Sequence, residues 1–473
     1  MSAKMSALPF QLFSLFLFSF SACAANFYVR PSSAGSANGT DWSNAWSMTG
    51  LNSGWGSVAA GDTVWIAGGT YTTQMLPTAN GTAANPIRIY RPRTTDAVPT
   101  AATGWSSGFD AQIILAPVNL EGIYYGTADQ GHNMIFDGRI TDGWKIVKDN
   151  GAAGTYPGCI QYDDNANSTN VIYANMDLVG PFDVTTPVLS GINNYHSCIS
   201  LTPHTTPLGI RWMTFTNVSV HGGVTLVNVL GGWGTTNLGG QYITFDHCRF
   251  YNNMASQSEY HANMFELRDM GNITWRYCEF YQWLVEGIMP YGIQAGPLYI
   301  YGCWFHDPDN SEEVSRVIEP FETTQVFFYN NVFENCNSVG IYSSAGGGAW
   351  AVGSLSRNNI YWNSGDGGLG PPNPNYEFWG PLGSIAGANS IASASDPFVS
   401  VATGNYHILA TVSAAYPRNK GVTLTDIGTH TFSRDADGNT RGADGTWDIG
   451  AYEYDSGAIA VQNRLRKAPA RRR

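Results

Sequence analysis

Lysine is almost missing from this 473-residue chain: there are five (Lys4, Lys145, Lys148, Lys420 and Lys467), with none between positions 149 and 419. Charged residues of all kinds make up only 13%, and the good helix formers give way to glycine (54) and to aromatics (13%, with 15 Trp). That composition disfavours helices and favours strands joined by many turns, so an all-β chain is expected. Past the N-terminus no apolar run approaches the roughly 20 residues needed to span a bilayer. The formal net charge of −12 argues against nucleic acid and anionic membranes as partners. No H-E-x-x-H zinc spacing is present, and the glycine run Gly346-Gly347-Gly348 lacks the lysine of a phosphate-binding loop.

What is present begins with an export signal over residues 1–24. Lys4 supplies the positive start, Leu8–Phe20 the apolar run, and Ala22-Cys23-Ala24 a small-residue cleavage site. Acylation of Cys23 as a lipoprotein is the other reading, but strand-like sequence starts at once with Asn26-Phe27-Tyr28-Val29 and leaves no tether. A secreted protein is therefore expected, extracellular, periplasmic or at the cell surface. Residues 456–473 form a basic tail without a folding pattern. Between these ends the body is more acidic than the whole chain.

The strongest internal signal is a repeat. Short alternating segments recur, among them Tyr242–Phe250, Asn272–Phe280, Pro297–Phe305 and Gln325–Phe333. Anchored on Val218, Cys248, Cys278, Cys303, Asn331 and Asn359, they are spaced by 30, 30, 25, 28 and 28 residues. That period is too short for a propeller blade and carries no leucine-rich or helical-repeat pattern. It fits one coil of a three-sheet β-solenoid, each coil stacking on the last at about 4.8 Å. Cys248, Cys278 and Cys303 then share one interior slot, where stacking holds thiols farther apart than a disulfide allows, so free buried thiols are expected. Cys159 and Cys198 flank a long insertion and are the better disulfide candidates.

Both ends sharpen the picture. Phe27-Tyr28-Val29-Arg30-Pro31 followed by Ala60-Gly61-Asp62-Thr63-Val64-Trp65-Ile66 resembles the N-terminal cap of secreted right-handed parallel β-helix proteins of the pectin-lyase-like superfamily. Asp396-Pro397-Phe398, Gly404–Leu409 and the closing Trp447-Asp448-Ile449-Gly450-Ala451-Tyr452 resemble the exit segment of choice-of-anchor β-helix proteins. The resemblance implies a right-handed parallel β-helix: N-terminal cap and first coils over 25–115, the helix over 116–410, and a C-terminal cap over 411–455. It also implies polysaccharide lyase or glycosidase chemistry, a polysaccharide partner and, in our reading, a monomer.

In that fold the first strand of each coil precedes the repeated segment, at Ala262–Asp269, Glu286–Tyr291, Arg316–Glu322 and Val339–Ser343. The resemblance places a substrate cleft along this sheet. Residues 256–334 hold twelve acidic side chains against three arginines, which concentrates acidity there. Alternation points Phe265 and Leu267 inward and sends Glu266 and Arg268 out, and the same logic exposes Glu319. Glu266 and Glu319 stand twelve residues before Cys278 and Asn331, hence in one column two coils apart, with Tyr291 on the rung between. Two rungs separate their backbones by about 9.6 Å, compatible with the roughly 6.5–9.5 Å between the carboxylates of an inverting glycosidase. Glu266, Glu319, Arg268 and Tyr291 are the candidate catalytic residues, and His261, Glu286, Arg316, Glu322, His306, Trp283 and Trp304 the candidate substrate contacts.

A glycoside hydrolase, which needs no cofactor, is the first expectation. The second is a calcium-assisted lyase acting on a uronate-containing glycan. The central coils offer no lysine base, which leaves arginine, or Tyr291 with His261, as base and Glu266, Glu319 or Glu322 as calcium ligands. The loop Asp307-Pro308-Asp309 is a further place for a cation, through Asp307 and Asp309. A non-catalytic glycan-binding adhesin is the third reading. Asp435-Ala436-Asp437-Gly438-Asn439 has its glycine too early for a calcium loop and reads as a turn, and Gly365–Gly383, with three prolines, reads as a long loop.

Overall fold

The computed structural model describes residues 24–454 apart from 128, 149–157, 164–165, 182–196, 203–208, 232–239, 254–262, 295, 309–315, 321–322, 337–348, 366–369 and 383–386. At 293–294 only the backbone is described. Residues 1–23 of the segment expected as an export signal, and the expected basic tail, lie outside the described residues. Within them the chain forms a right-handed parallel β-helix with 28 strands in one continuous set of pairings. No described helix is long and apolar enough to cross a membrane.

The coil geometry follows from a two-residue period broken by left-handed bends. Strand Thr169–Val179 pairs in register with Met134–Asp137 through its first half and with Trp144–Val147 through its second. Asn175, at φ 58°, turns it from one face to the next. Asn217, His247, Tyr277, Asn330 and Asn358 occupy the equivalent bend with φ between 52° and 58°, and asparagine tolerates this conformation better than most side chains. Stacked bends bond to each other where both are asparagine: Asn217 Nδ2 donates to Asn175 Oδ1 at 2.6 Å and Asn358 Nδ2 to Asn330 Oδ1 at 3.1 Å. The third face is built from Ile123–Tyr125, Ile160–Tyr162, Ser197–Leu201, Thr225–Leu230, the first half of Asn263–Arg276, Glu286–Gln294 and Arg316–Ile318.

Inside, like stacks on like. Phe136, Tyr173, Phe215, Phe245 and Trp275 form a column with ring centroids 5.0 to 6.1 Å apart. Phe250, Phe280, Phe305, Phe333 and Tyr361 form another. Each contact of this kind adds about 0.5–1.5 kcal/mol beyond area burial. The lower end is closed by helix Met48–Gly54, capped by Ser47, which buries Met48 and Leu51 against the first coils.

The cysteine–asparagine slot is a ladder in which each coil's side chain serves the previous coil's backbone. Cys303 N–H donates to Asn331 Oδ1 at 2.9 Å, Asn331 N–H to Asn359 Oδ1 at 2.9 Å, and Asn359 N–H to Glu377 Oε2 at 2.6 Å. Cys248, Cys278 and Cys303 are free and buried. Cys159 and Cys198, the better disulfide candidates, are also free and buried. The pairing of Ile160 with Ile199 puts them in one slot on successive rungs, so they stack rather than cross-link. The proline-bearing stretch after Gly365, expected as a loop, contributes a further short rung: Pro374–Asn375 and Phe378–Trp379 pair with the preceding coil, and Glu377 between them extends the ladder, its N–H donating to Ser390 Oγ at 3.2 Å.

The exit segment lies lengthwise along the outside of the coils. Asn358 Nδ2 donates to Val422 O at 2.8 Å, Tyr277 Oη reaches Arg434 O, His430 stacks on Tyr299 at 3.9 Å, and Tyr452 packs on Trp304. Asp435 behaves as the turn residue expected, accepting from the N–H groups of Asp437 and Asn439 at 3.0 and 2.7 Å.

Candidate functional site

Three of the four strands expected to carry the site lie side by side on the third face, and Val339–Ser343 falls outside the described residues. Strand Asn263–Arg276 pairs with Glu286–Gln294, matching Glu266 with Met289 and Arg268 with Tyr291. The next strand, Arg316–Ile318, pairs Ile318 with Ile288, and Glu319 N–H continues the ladder by donating to Ile288 O at 2.9 Å. Glu266 and Glu319 therefore do share a register column two rungs apart, with Met289 between them in that column and Tyr291 on the same middle strand.

The first group on this face is half-exposed. Phe265 and Leu267 are buried in the coil while Glu266 and Arg268 are partly exposed, as alternation demands. Tyr291 Oη donates to Glu266 Oε1 at 2.6 Å, and the Arg268 guanidinium sits 5.5 Å from the centre of the Tyr291 ring. Burial, and next the charge of Glu266, push the Tyr291 phenol well above its ordinary value. Gly292 follows at φ 73°, and any side chain there would run into the Asp269 carboxylate.

The second group is buried. Glu286 is fully enclosed and Glu319 only 1% exposed, and Arg316 bridges them, 3.5 Å from Glu286 and in direct contact with Glu319. Burial first, then the adjoining Glu319 carboxyl, push Glu286 up to about 9, against the pull of Arg316. At neutral pH Glu286 is thus a protonated acid beside a second carboxyl group. The exposure expected for Glu319 is corrected: at the end of its strand it is drawn into the ion pair with Arg316.

Other expected contacts lie elsewhere. Trp283 is fully buried, edge-on to Phe305 in the core, and Trp304 is 7% exposed beneath Tyr452 of the exit segment, so neither ring is free to stack on a sugar. His306 belongs to another face, where Tyr281 and Tyr406 pack on it and Glu279 and Asp307 bond it at 3.1 Å each. Burial would depress this imidazole, but the bonds to Asp307 and Glu279 raise it to about 9. Asp307 is held by that histidine and by Asn335. His261, Glu322 and Asp309 lie outside the described residues. The buried acid–arginine group was not anticipated as a unit. Its signal was the 30-residue step from Glu286 to Arg316, the same step that relates the earlier anchors.

Of the carboxylates expected as calcium ligands, Glu322 and Asp309 lie outside the described residues. Glu266 is engaged by Tyr291 beside Arg268, and Glu319 by Arg316. Among the described residues no three His, Cys, Asp or Glu side chains come together as metal ligands.

No protein-family model matches the sequence, and no curated protein matches it. The structure is similar to that of pectate lyase Pel9A, with TM-score 0.55 and 14% identity over 92% of this chain and 97% of that one. It is also similar to a rhamnogalacturonan lyase (TM-score 0.38, 11% identity, 80% and 92% covered) and to an alginate lyase from Paenibacillus sp. str. FPU-7 (TM-score 0.36, 10% identity, 76% and 97% covered). The first of these likenesses establishes the fold, a parallel β-helix running through nearly the whole chain.

Proposed function

We propose that this protein is an extracellular enzyme that cleaves a polysaccharide by acid–base hydrolysis on the third face of its β-helix. The observation that carries the reading is the pair of adjoining buried carboxyls, Glu286 and Glu319, bridged by Arg316 within two rungs of the partly exposed Glu266. Neighbouring carboxyls whose environments drive their protonation apart are the pattern of an acid and a base. Glu286, the acid raised by burial, passes its proton through Glu319, in the column of Glu266, to the glycosidic oxygen once the bound chain draws Glu319 out of its pair with Arg316, and so acts as a positioning residue behind it. Glu266, held by Tyr291, takes a proton from the attacking water, which adds to the anomeric carbon as the bond to the leaving oxygen breaks. A spacing of two rungs suits inversion. Likeness of fold to a pectate lyase supports a polysaccharide as the substrate class.

The test is reducing-sugar release across a polysaccharide panel. Glu266→Gln and Glu319→Gln should each abolish it in folded protein, and products should gain the mass of water. Retained activity in both variants would remove this site. A second reading, β-elimination, is favoured by one contact, the Arg268 guanidinium over the Tyr291 ring, which sets a uronate-neutralising cation beside a phenol. Products absorbing in the ultraviolet as unsaturated uronates would establish it in place of hydrolysis.

A further inference from the structure

A second column of left-handed bends runs where the third face turns into the repeated strand. Asn133, Asn170 and Asn272 occupy it with φ of 51°, 57° and 56°, and Asn170 Nδ2 donates to Asn133 Oδ1 at 2.8 Å. Between Asn170 and Asn272 the column changes character: the positions are Trp212 and Tyr242, at φ 53° and 57°. Register places them in line, since Val171 pairs with Met213, Thr214 with Thr244, and Ile243 with Ile273. Bulky side chains are strained in this backbone conformation, and asparagine would fill it at lower cost, as it does on both sides.

Burial in the core does not offset that strain. Trp212 is 52% exposed and Tyr242 45% exposed, among the most open large apolar side chains of the described protein. Their rings are parallel, 5.6 Å apart with 14° between planes, and together make one apolar plate. The contrast with Tyr277 is informative. It has the same left-handed backbone in the other bend column, but its ring is packed under the exit segment and its hydroxyl reaches Arg434 O. An aromatic ring that is strained, paired with its neighbour and left open to water points to a binding partner with a flat apolar face.

The plate adjoins the candidate site. Tyr242 neighbours Asn272, which lies four residues beyond Arg268 on the same strand, a span of at most about 13 Å. A chain bound over Glu266, Arg268 and Tyr291 and extended round this corner reaches Tyr242 and then Trp212. We infer that Trp212 and Tyr242 form a sugar-stacking subsite that holds the pyranose rings of the same polysaccharide on the N-terminal side of the cleavage point, an inference that rests on the function proposed above. Aromatic rings with polar edges suit such a ligand, offering an apolar face to the sugar ring while leaving its hydroxyls in water.

The test is the double variant Trp212→Asn, Tyr242→Asn, which restores the side chain found at neighbouring bends. Binding is read by retardation in native gels containing polygalacturonate, alginate or a soluble neutral β-glucan, and turnover by reducing-sugar release. The thermal midpoint should stay level or rise. Affinity for the polysaccharide that wild type binds should fall at least about tenfold, with KM rising in step and kcat at saturation nearly unchanged. A folded double variant with unaltered retardation and KM overturns the subsite while leaving the proposed hydrolysis standing. Retardation of wild type without turnover, lost in the double variant, supports the subsite and removes the hydrolase. Wild type retarded by none of the three overturns the inference.

Discussion

Glu377 is the acidic member of the ladder of side chains that caps successive coils, and its protonation should be measurable as stability. The residue is fully buried; Ser356 Oγ lies 2.7 Å from Oε1, and Asn359 N–H donates to Oε2 at 2.6 Å. Burial is the largest influence on it, and despite the hydrogen bonds from Ser356 and Asn359 it is raised from 4.5 to about 8. In the unfolded chain the same group ionises near 4.5. Because the folded value is the higher, the folded state keeps a proton that the unfolded state releases. The associated stability is complete below pH 4.5 and is lost as pH climbs through 8. At about 1.4 kcal/mol per pH unit, that interval removes about 5 kcal/mol. Glu377→Gln keeps an acceptor for Asn359 N–H and cannot ionise, so it should escape the loss. Guanidinium unfolding at pH 5, 6.5 and 8, at constant ionic strength, reads the gap between the two proteins, in which the other carboxyls cancel. The variant should gain on wild type steadily with pH. A gap that stays constant from pH 5 to 8 would refute the reasoning.

Asn331→Ala removes an acceptor for Cys303 N–H and two donated bonds to Ile300 O and Asn359 Oδ1; a loss of about 3 kcal/mol or more should appear in the same unfolding assay. His306 titrates in the folded state near 9 against an ordinary 6.5, so its contribution is complete below 6.5 and lost as pH rises through 9. His306→Gln should flatten that part of the stability profile. Tyr291→Phe deletes the hydrogen bond to Glu266 and should lower kcat at least about tenfold, since bonds to charged groups contribute about 1.5–3 kcal/mol, with the circular dichroism spectrum unchanged. Reductant should leave the melting temperature unchanged, because the described cysteines are free.

The fold was legible because a solenoid writes its register into the sequence. Cys248, Cys278, Cys303, Asn331 and Asn359 repeat at coil length, and one slot fixes the alignment of every neighbouring strand. Cys159 and Cys198 were misread because the insertion between them lengthens their spacing and hides the shared slot. At the site, alternation placed Phe265, Glu266, Leu267 and Arg268 correctly, since that stretch is regular strand. It failed at Glu319, where the strand ends and the nearest opposite charge decides the side chain's direction. Trp283 was misplaced because Gln282 sits at φ 55° and breaks the two-residue period just before it. Trp304 was misplaced because what covers it, Tyr452, lies 148 positions away in the chain, a contact that no local pattern encodes.

The exit segment, running lengthwise over the coils, changes how the molecule can come apart. A bare stack of coils behaves as a chain of nearest-neighbour couplings and can fray from either end. A strap anchored on Tyr277, Tyr299, Trp304 and Asn358 ties the rung of Asn358 to two earlier rungs that it does not touch, so none beneath it can open without the strap lifting. The last coils thereby become a single cooperative block, and the coils before Tyr277 are left to breathe independently of it. The carboxyl pair and Arg316 stand on rungs of the strapped block, while Trp212 and Tyr242 stand on rungs before it. The boundary between the stiff and the compliant halves of the molecule thus passes through the surface on which we place the polysaccharide.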